Sequence, residues 1–94
     1  MLKLYFLNEC LGEIVDISVE GLWTNGKIIP TKKLEKFKDF FEGLIDEENE
    51  FVEEKYNEEW LDDHNWFIVD DENRKKGIYL PAVYFDGDIN WRWR

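Results

Sequence analysis

The chain has 94 residues, enough for one domain spanning 1–94 with a single core and no need of disulfides or a structural metal. Apolar residues make up 44% and aromatics 17%, which argues against disorder, while 22 acidic against 12 basic side chains, a formal charge of -10, disfavour direct nucleic-acid or membrane binding and favour a basic protein partner. Cys10 is the sole cysteine, so neither an internal disulfide nor a four-cysteine zinc site can form. No apolar run reaches the ~18 residues of a membrane span, and MLKLYFLNECLGE reads as a strand rather than a signal peptide, so a cytoplasmic working place is expected.

In chain order, Leu2, Leu4 and Phe6 alternate with Lys3 and Tyr5, a strand periodicity. A turn is expected at Asn8–Gly12, and a second strand through Val15, Ile17 and Val19, with a bend at Gly21. In LWTNGKII, the Asn25-Gly26 dipeptide between apolar pairs predicts a tight hairpin, because both residues tolerate positive φ. Three antiparallel strands therefore precede Pro30.

Thr31 can cap the helix that follows, TKKLEKFKDFFEGLIDE. It places Leu34, Phe37, Phe41, Leu44 and Ile45 on one face, widened by Phe40. Its early lysines oppose the helix dipole and should have carboxylate partners. A second, weaker helix is expected over Glu48–Leu61, with Val52, Tyr56 and Trp60 recurring at every fourth position. Trp66–Val69 reads as a buried strand, Asp70–Gly77 as a charged turn, and Ile78–Phe85 as a strand apolar on both faces and so central, although Pro81 sits badly there. Asp86–Asp88 makes a turn. Ile89, Trp91 and Trp93 then share one face and pack on the helices, while Asn90, Arg92 and Arg94 share the other. A nucleic-acid platform needs rings and cations on one exposed surface, and this spacing separates them. The expected fold is α+β, an antiparallel sheet of about five to six strands with one or two helices packed on one face.

The charge is unevenly distributed. Asp46 to Glu72 holds 13 acidic residues and one basic residue, Lys55, a charge of -12 in 27 positions, whereas the remainder is +2. Glu50, Glu54 and Glu58 recur at i, i+4, a spacing at which like charges cost a helix ~0.2–0.5 kcal/mol per pair. A surface serving only solubility would interleave the signs. The run therefore reads as a docking face in preference to an inert coat. Its candidates are Glu50, Glu53, Glu54, Glu58, Glu59, Asp62 and Asp63, then Asp70, Asp71 and Glu72, with Trp60 and Tyr56 as apolar anchors if exposed.

No catalytic motif is present, and no enzyme activity or cofactor is expected. His64 with Asp62, Asp63, Asp70 and Asp71 offers oxygen ligands but lacks EF-hand spacing, so no metal site is assigned. Nothing near Cys10 supports a nucleophile–base pair with His64. In composition and layout, including the tail KGIYLPAVYFDGDINWRWR, the chain resembles the small acidic immunity proteins of bacterial polymorphic-toxin systems. That resemblance implies a stoichiometric inhibitor that covers the basic substrate groove of a toxin or nuclease. Alternatives with the same electrostatics are a phage or mobile-element inhibitor imitating DNA, of anti-restriction or anti-CRISPR type, and a housekeeping interaction domain.

Overall fold

The computed structural model describes residues 1–45, 58–84 and 86–94, so most of the expected helix over Glu48–Leu61 lies outside the described residues. Among the described residues, seven strands form one antiparallel sheet: β1 (Leu2–Phe6), β2 (Glu9–Glu20), β3 (Trp23–Pro30), β4 (Trp66–Val69), β5 (Lys75–Gly77), β6 (Ala82–Val83) and β7 (Asp88–Trp91). Their spatial order is β5-β4-β1-β2-β3-β7-β6. A 3-10 helix at Lys32–Phe37 runs into α1 (Lys38–Ile45), and α2 (Glu58–Leu61) is followed by a 3-10 turn at Asp63–Asn65. The result is a small α+β domain dominated by its sheet. The strand beyond the expected five to six is β5: Asp70–Arg74 closes the chain tightly enough for Lys75–Gly77 to return alongside β4.

The alternation expected of β1 holds, with Leu4 and Phe6 buried. The first turn is shorter than expected. It occupies Leu7 and Asn8, with Leu7 at φ 53°, and Cys10 already belongs to β2. The Asn25-Gly26 hairpin is not formed. Both residues lie inside β3, opposite Ser18 of β2 and Ile89 of β7 respectively. The turn falls instead at Gly21 and Leu22, where Gly21 takes φ 62° in open space. Gly26 serves close packing: a Cβ there would stand 2.8 Å from Ile14 Cγ2 and 3.0 Å from the Val15 carbonyl oxygen. A register jump between Val15 and Ser18, with Asp16 at φ 53°, marks a bulge in β2.

Pro30 ends β3 as expected, and Thr31 takes the N-cap position of the 3-10 helix. Its hydroxyl does not cap; it donates to the Cys10 carbonyl at 2.9 Å and ties the helix start to β2. Lys36 finds the carboxylate partner that its position called for, Glu9 of β2. That hydrogen bond holds the Glu9 carboxyl below its ordinary range. Leu34, Phe37, Phe40 and Phe41 are buried in the same cluster as Leu4, Phe6, Ile14 and Trp66. Phe37 is the hinge of this cluster, with ring centroids 5.3 Å from Phe6 and 5.4 Å from Trp66. Each such ring removes roughly 150–250 Å² from water, so the aromatic cluster supplies much of the driving force.

The Ile78–Phe85 segment is not one central strand. Pro81 interrupts it, and β6, its second part, forms a sheet edge. Its first part lies between two neighbours. The Ile78 N–H donates to the Trp66 carbonyl at 3.1 Å, while Ile78 bridges Trp93, Tyr79 N–H donates to the Arg92 carbonyl at 3.0 Å, and Arg94 N–H donates to the Gly77 carbonyl at 3.2 Å. Residues 77–79 thus stitch β4 to the end of the chain, and the curved sheet closes on itself at this point. Expectation also fails for one tryptophan. Trp91 is fully buried, with no acceptor for its Nε1 among the described residues, but Trp93 is 41% exposed because it stands past the end of the core.

Candidate functional site

Of the expected docking residues, Glu50, Glu53 and Glu54 lie outside the described residues, as does Tyr56. Glu58 and Glu59 lie in α2 and are exposed. Trp60 is not an exposed anchor. Its ring lies 4.6 Å from that of Phe37 and 5.6 Å from that of Phe40, and its carbonyl accepts from Trp66 Nε1 at 2.8 Å. The ring works at the edge of the core.

The carboxylates that follow hold the backbone. Asp62 accepts from the His64 N–H at 2.9 Å and lies 3.0 Å from His64 Nδ1. The backbone contact, then the ring contact, keeps the Asp62 carboxyl below its usual range. Asp63 accepts from the Leu80 N–H at 2.6 Å, at the break before Pro81. Asp70 organises its turn: it accepts from the N–H of Glu72 at 3.0 Å, from that of Arg74 at 2.9 Å, and from Arg74 Nε at 2.9 Å. Donation from the Arg74 backbone leads the causes that lower its pKa. Asp71 pairs with the Met1 ammonium, and Glu72 lies 3.5 Å from the Arg74 guanidinium. Asp70, Asp71 and Glu72 thus each have a partner within the fold, Asp70 and Glu72 sharing Arg74, while the side chains of Asp71 and Glu72 stay 75% and 73% exposed. Among the described acids of the run, Glu58 carries no hydrogen bond or ion pair, and Asp62 keeps a side chain 51% exposed.

Two arrangements on the outer face of the sheet were not foreseen. An open cavity of about 570 Å³ lies between the β2 bulge and the β6–β7 turn, lined by Asp16, Asn25, Lys27, Asp86, Asp88 and Asn90 among others. Lys27 pairs with Asp88 there, and that contact, with Asp86 and Asp16 nearby, raises the Lys27 pKa. The second arrangement is a row of Trp23 in β3, Arg92 just past β7 and Tyr79 between β5 and β6, in which the guanidinium carbon lies 5.2 Å from the Trp23 ring centre and 5.0 Å from that of Tyr79. The alternation of each strand was visible beforehand. The register that sets these three side by side was not.

No cluster of three or more metal-ligating side chains occurs among the described residues. No helix among them is long and apolar enough to cross a membrane. No family model, curated protein or solved structure matches the chain.

Proposed function

We propose that the protein is a non-enzymatic inhibitor that binds a basic protein partner through the acidic surface beginning at Glu58 and Asp62. In keeping with the resemblance of its composition and layout, the partner is a toxin or nuclease whose basic substrate groove this surface covers. The observation that carries the reading is the segregation of charge, -12 within Asp46–Glu72 against +2 elsewhere. Glu58 supports it as an exposed carboxylate with no internal partner among the described residues. Asp70, Asp71 and Glu72 rank behind Glu58 in this role, because each has an ion-pair partner within the fold. Oriented carboxylates speed encounter with a basic groove and make association strongly salt-dependent.

The test is to recover the partner on immobilised protein at low salt and measure association against ionic strength. The expected result is a steep fall in on-rate with salt, and loss of capture when Glu54 and Glu58 are both changed to Lys with the fold intact. Capture indifferent to both salt and charge reversal overturns the reading.

A further inference from the structure

Strand β2 outruns its neighbour. Its pairing with β1 ends where Leu2 faces Ile14, so residues 16–20 are paired on one side only, by β3. Glu20 and Trp23 flank the two-residue turn at Gly21 and Leu22, and such a closing pair is hydrogen-bonded. The alternation of antiparallel pairs then turns the N–H and C=O of Val19 away from β3, toward the free edge. The side chains along this edge also alternate. Ser18 faces Asn25 and Glu20 faces Trp23 on the outer side, where Asp16 lines the open cavity beside Ser18. Ile17 and Val19 belong to the inner side: a Cβ on Gly26 would lie 3.7 Å from Ile17 Cγ1, and Val19 faces Thr24, which faces Trp91. That cross-strand row is buried at Trp91 and Thr24 but ends at Val19, 70% exposed, with Ile17 beside it at 43%. Asp16 and Glu20 make no ion pair among the described residues, and the cation nearest Asp16, Lys27, already pairs with Asp88.

We propose that the free edge of β2 accepts an added strand from a protein partner, an extended segment in which Lys or Arg alternates with apolar residues. A backbone donor and acceptor left open at a strand edge are matched by another polypeptide backbone, and not by a nucleic acid or a lipid. The period of two then dictates the guest's side chains. On the outer side its cations meet Asp16 and Glu20, and on the inner side its apolar residues meet Ile17 and Val19, continuing the row that runs from Trp91 through Thr24. Charge complementarity selects this guest over a second copy of the chain, because two β2 edges side by side would gather four carboxylates with no cation between them. The β2 bulge between Val15 and Ser18 interrupts regular pairing, so the guest is held over a few residues around Val19. This site shares no residue with the acidic run and goes beyond the role given to Glu58.

The experiment is a titration of the intact protein with a short acetylated peptide of alternating Lys and Val, followed at the Val19 backbone amide by NMR. A block peptide of the same residues, all Lys before all Val, is titrated in parallel and carries the same charge. The expected result with the alternating peptide is a saturable shift and slowed hydrogen exchange at Val19, and neither with the block peptide. Changing Asp16→Asn and Glu20→Lys together should weaken binding about tenfold. Asn tolerates the positive φ of residue 16, and unchanged thermal melting shows that the fold is retained. On the unaltered protein, N-methylating every second residue of the peptide should abolish binding in one phase and spare it in the other, because only alternate N–H groups face the edge. The proposal is overturned if Val19 does not respond at millimolar peptide, if the block peptide acts as well, if both phases of N-methylation are tolerated, or if the double variant binds equally well. Protection of Val19 that grows with protein concentration alone also overturns it, and assigns the edge to a second copy. General attraction of cations to the acidic run moves both peptides alike, so failure here leaves the role of Glu58 untouched.

Discussion

Within the last four residues, identical side chains meet different fates. Trp91 is fully buried and Trp93 is 41% exposed, although both point to the same side of the strand and their rings touch edge to face at 5.8 Å. Arg94 is consumed by structure, donating from Nε to the Ile78 carbonyl at 2.7 Å and from Nη2 to the Trp66 carbonyl at 3.2 Å, and lying over the Phe67 ring. Arg92, on the same outer face, lies against the Trp23 and Tyr79 rings and makes no ion pair among the described residues. Strand alternation assigns a side chain to a face. Whether that face is covered at a given point, and whether a cation finds acceptors, depends on where the core and the neighbouring strands end.

The sharpest way to break this contrast is to remove the rings in turn. Trp91→Ala should destabilise by about 3–5 kcal/mol, and Trp93→Ala by clearly less, in denaturant unfolding. Equal losses would mean that the core extends past Trp91. Arg94→Ala should cost about 1.5–3 kcal/mol, as charged donors leave two backbone carbonyls at the sheet closure, whereas Arg92→Ala should cost about 0.5–1 kcal/mol at most.

Gly77 sharpens the comparison. A Cβ there would lie 2.6 Å from Arg94 Cζ. Gly77→Ala should therefore displace Arg94, and its cost should shrink in an Arg94→Ala background, giving a non-additive double-mutant cycle. Simple additivity would show that Arg94 does not hold its place over Gly77.

The smallest expected effect concerns pH. Asp62 and Asp70 have folded pKa values below the ordinary value of about 3.9, so their stabilisation is fully present above that pH and is lost as pH falls through the lower folded values. Stability measured from pH 5 downward should decline, and Asp70→Asn should flatten part of that decline. A wild-type acid limb identical to that of Asp70→Asn would remove Asp70 from the account.

The acidic run teaches the same lesson at longer range. Its excess of carboxylates is plain in composition, but Asp63 bonds Leu80, 17 positions away, and Asp71 bonds the first residue of the chain. Neither contact has a local signature. Asp70 is different, because an Asp followed by Arg74 in a short polar stretch is a recognisable turn-former, and it could have been separated from the docking candidates on that ground. The failed Asn25-Gly26 hairpin has a similar origin: the dipeptide suits a tight turn, yet Gly26 is needed without a side chain beside Ile14.

Local order along the chain was enough to determine the period-two strand at Leu2–Phe6, the buried strand at Trp66–Val69, the apolar stripe of Leu34, Phe37 and Phe41, and the segregation of charge, since each depends on neighbours in sequence. Tertiary structure alone decided that Asp63 meets Leu80 and Asp71 the Met1 ammonium, why Trp93 is left in solvent, and how Trp23, Arg92 and Tyr79 come to share one row. Those outcomes depend on strand register and on where the sheet closes, and register is fixed by packing between segments far apart in the chain.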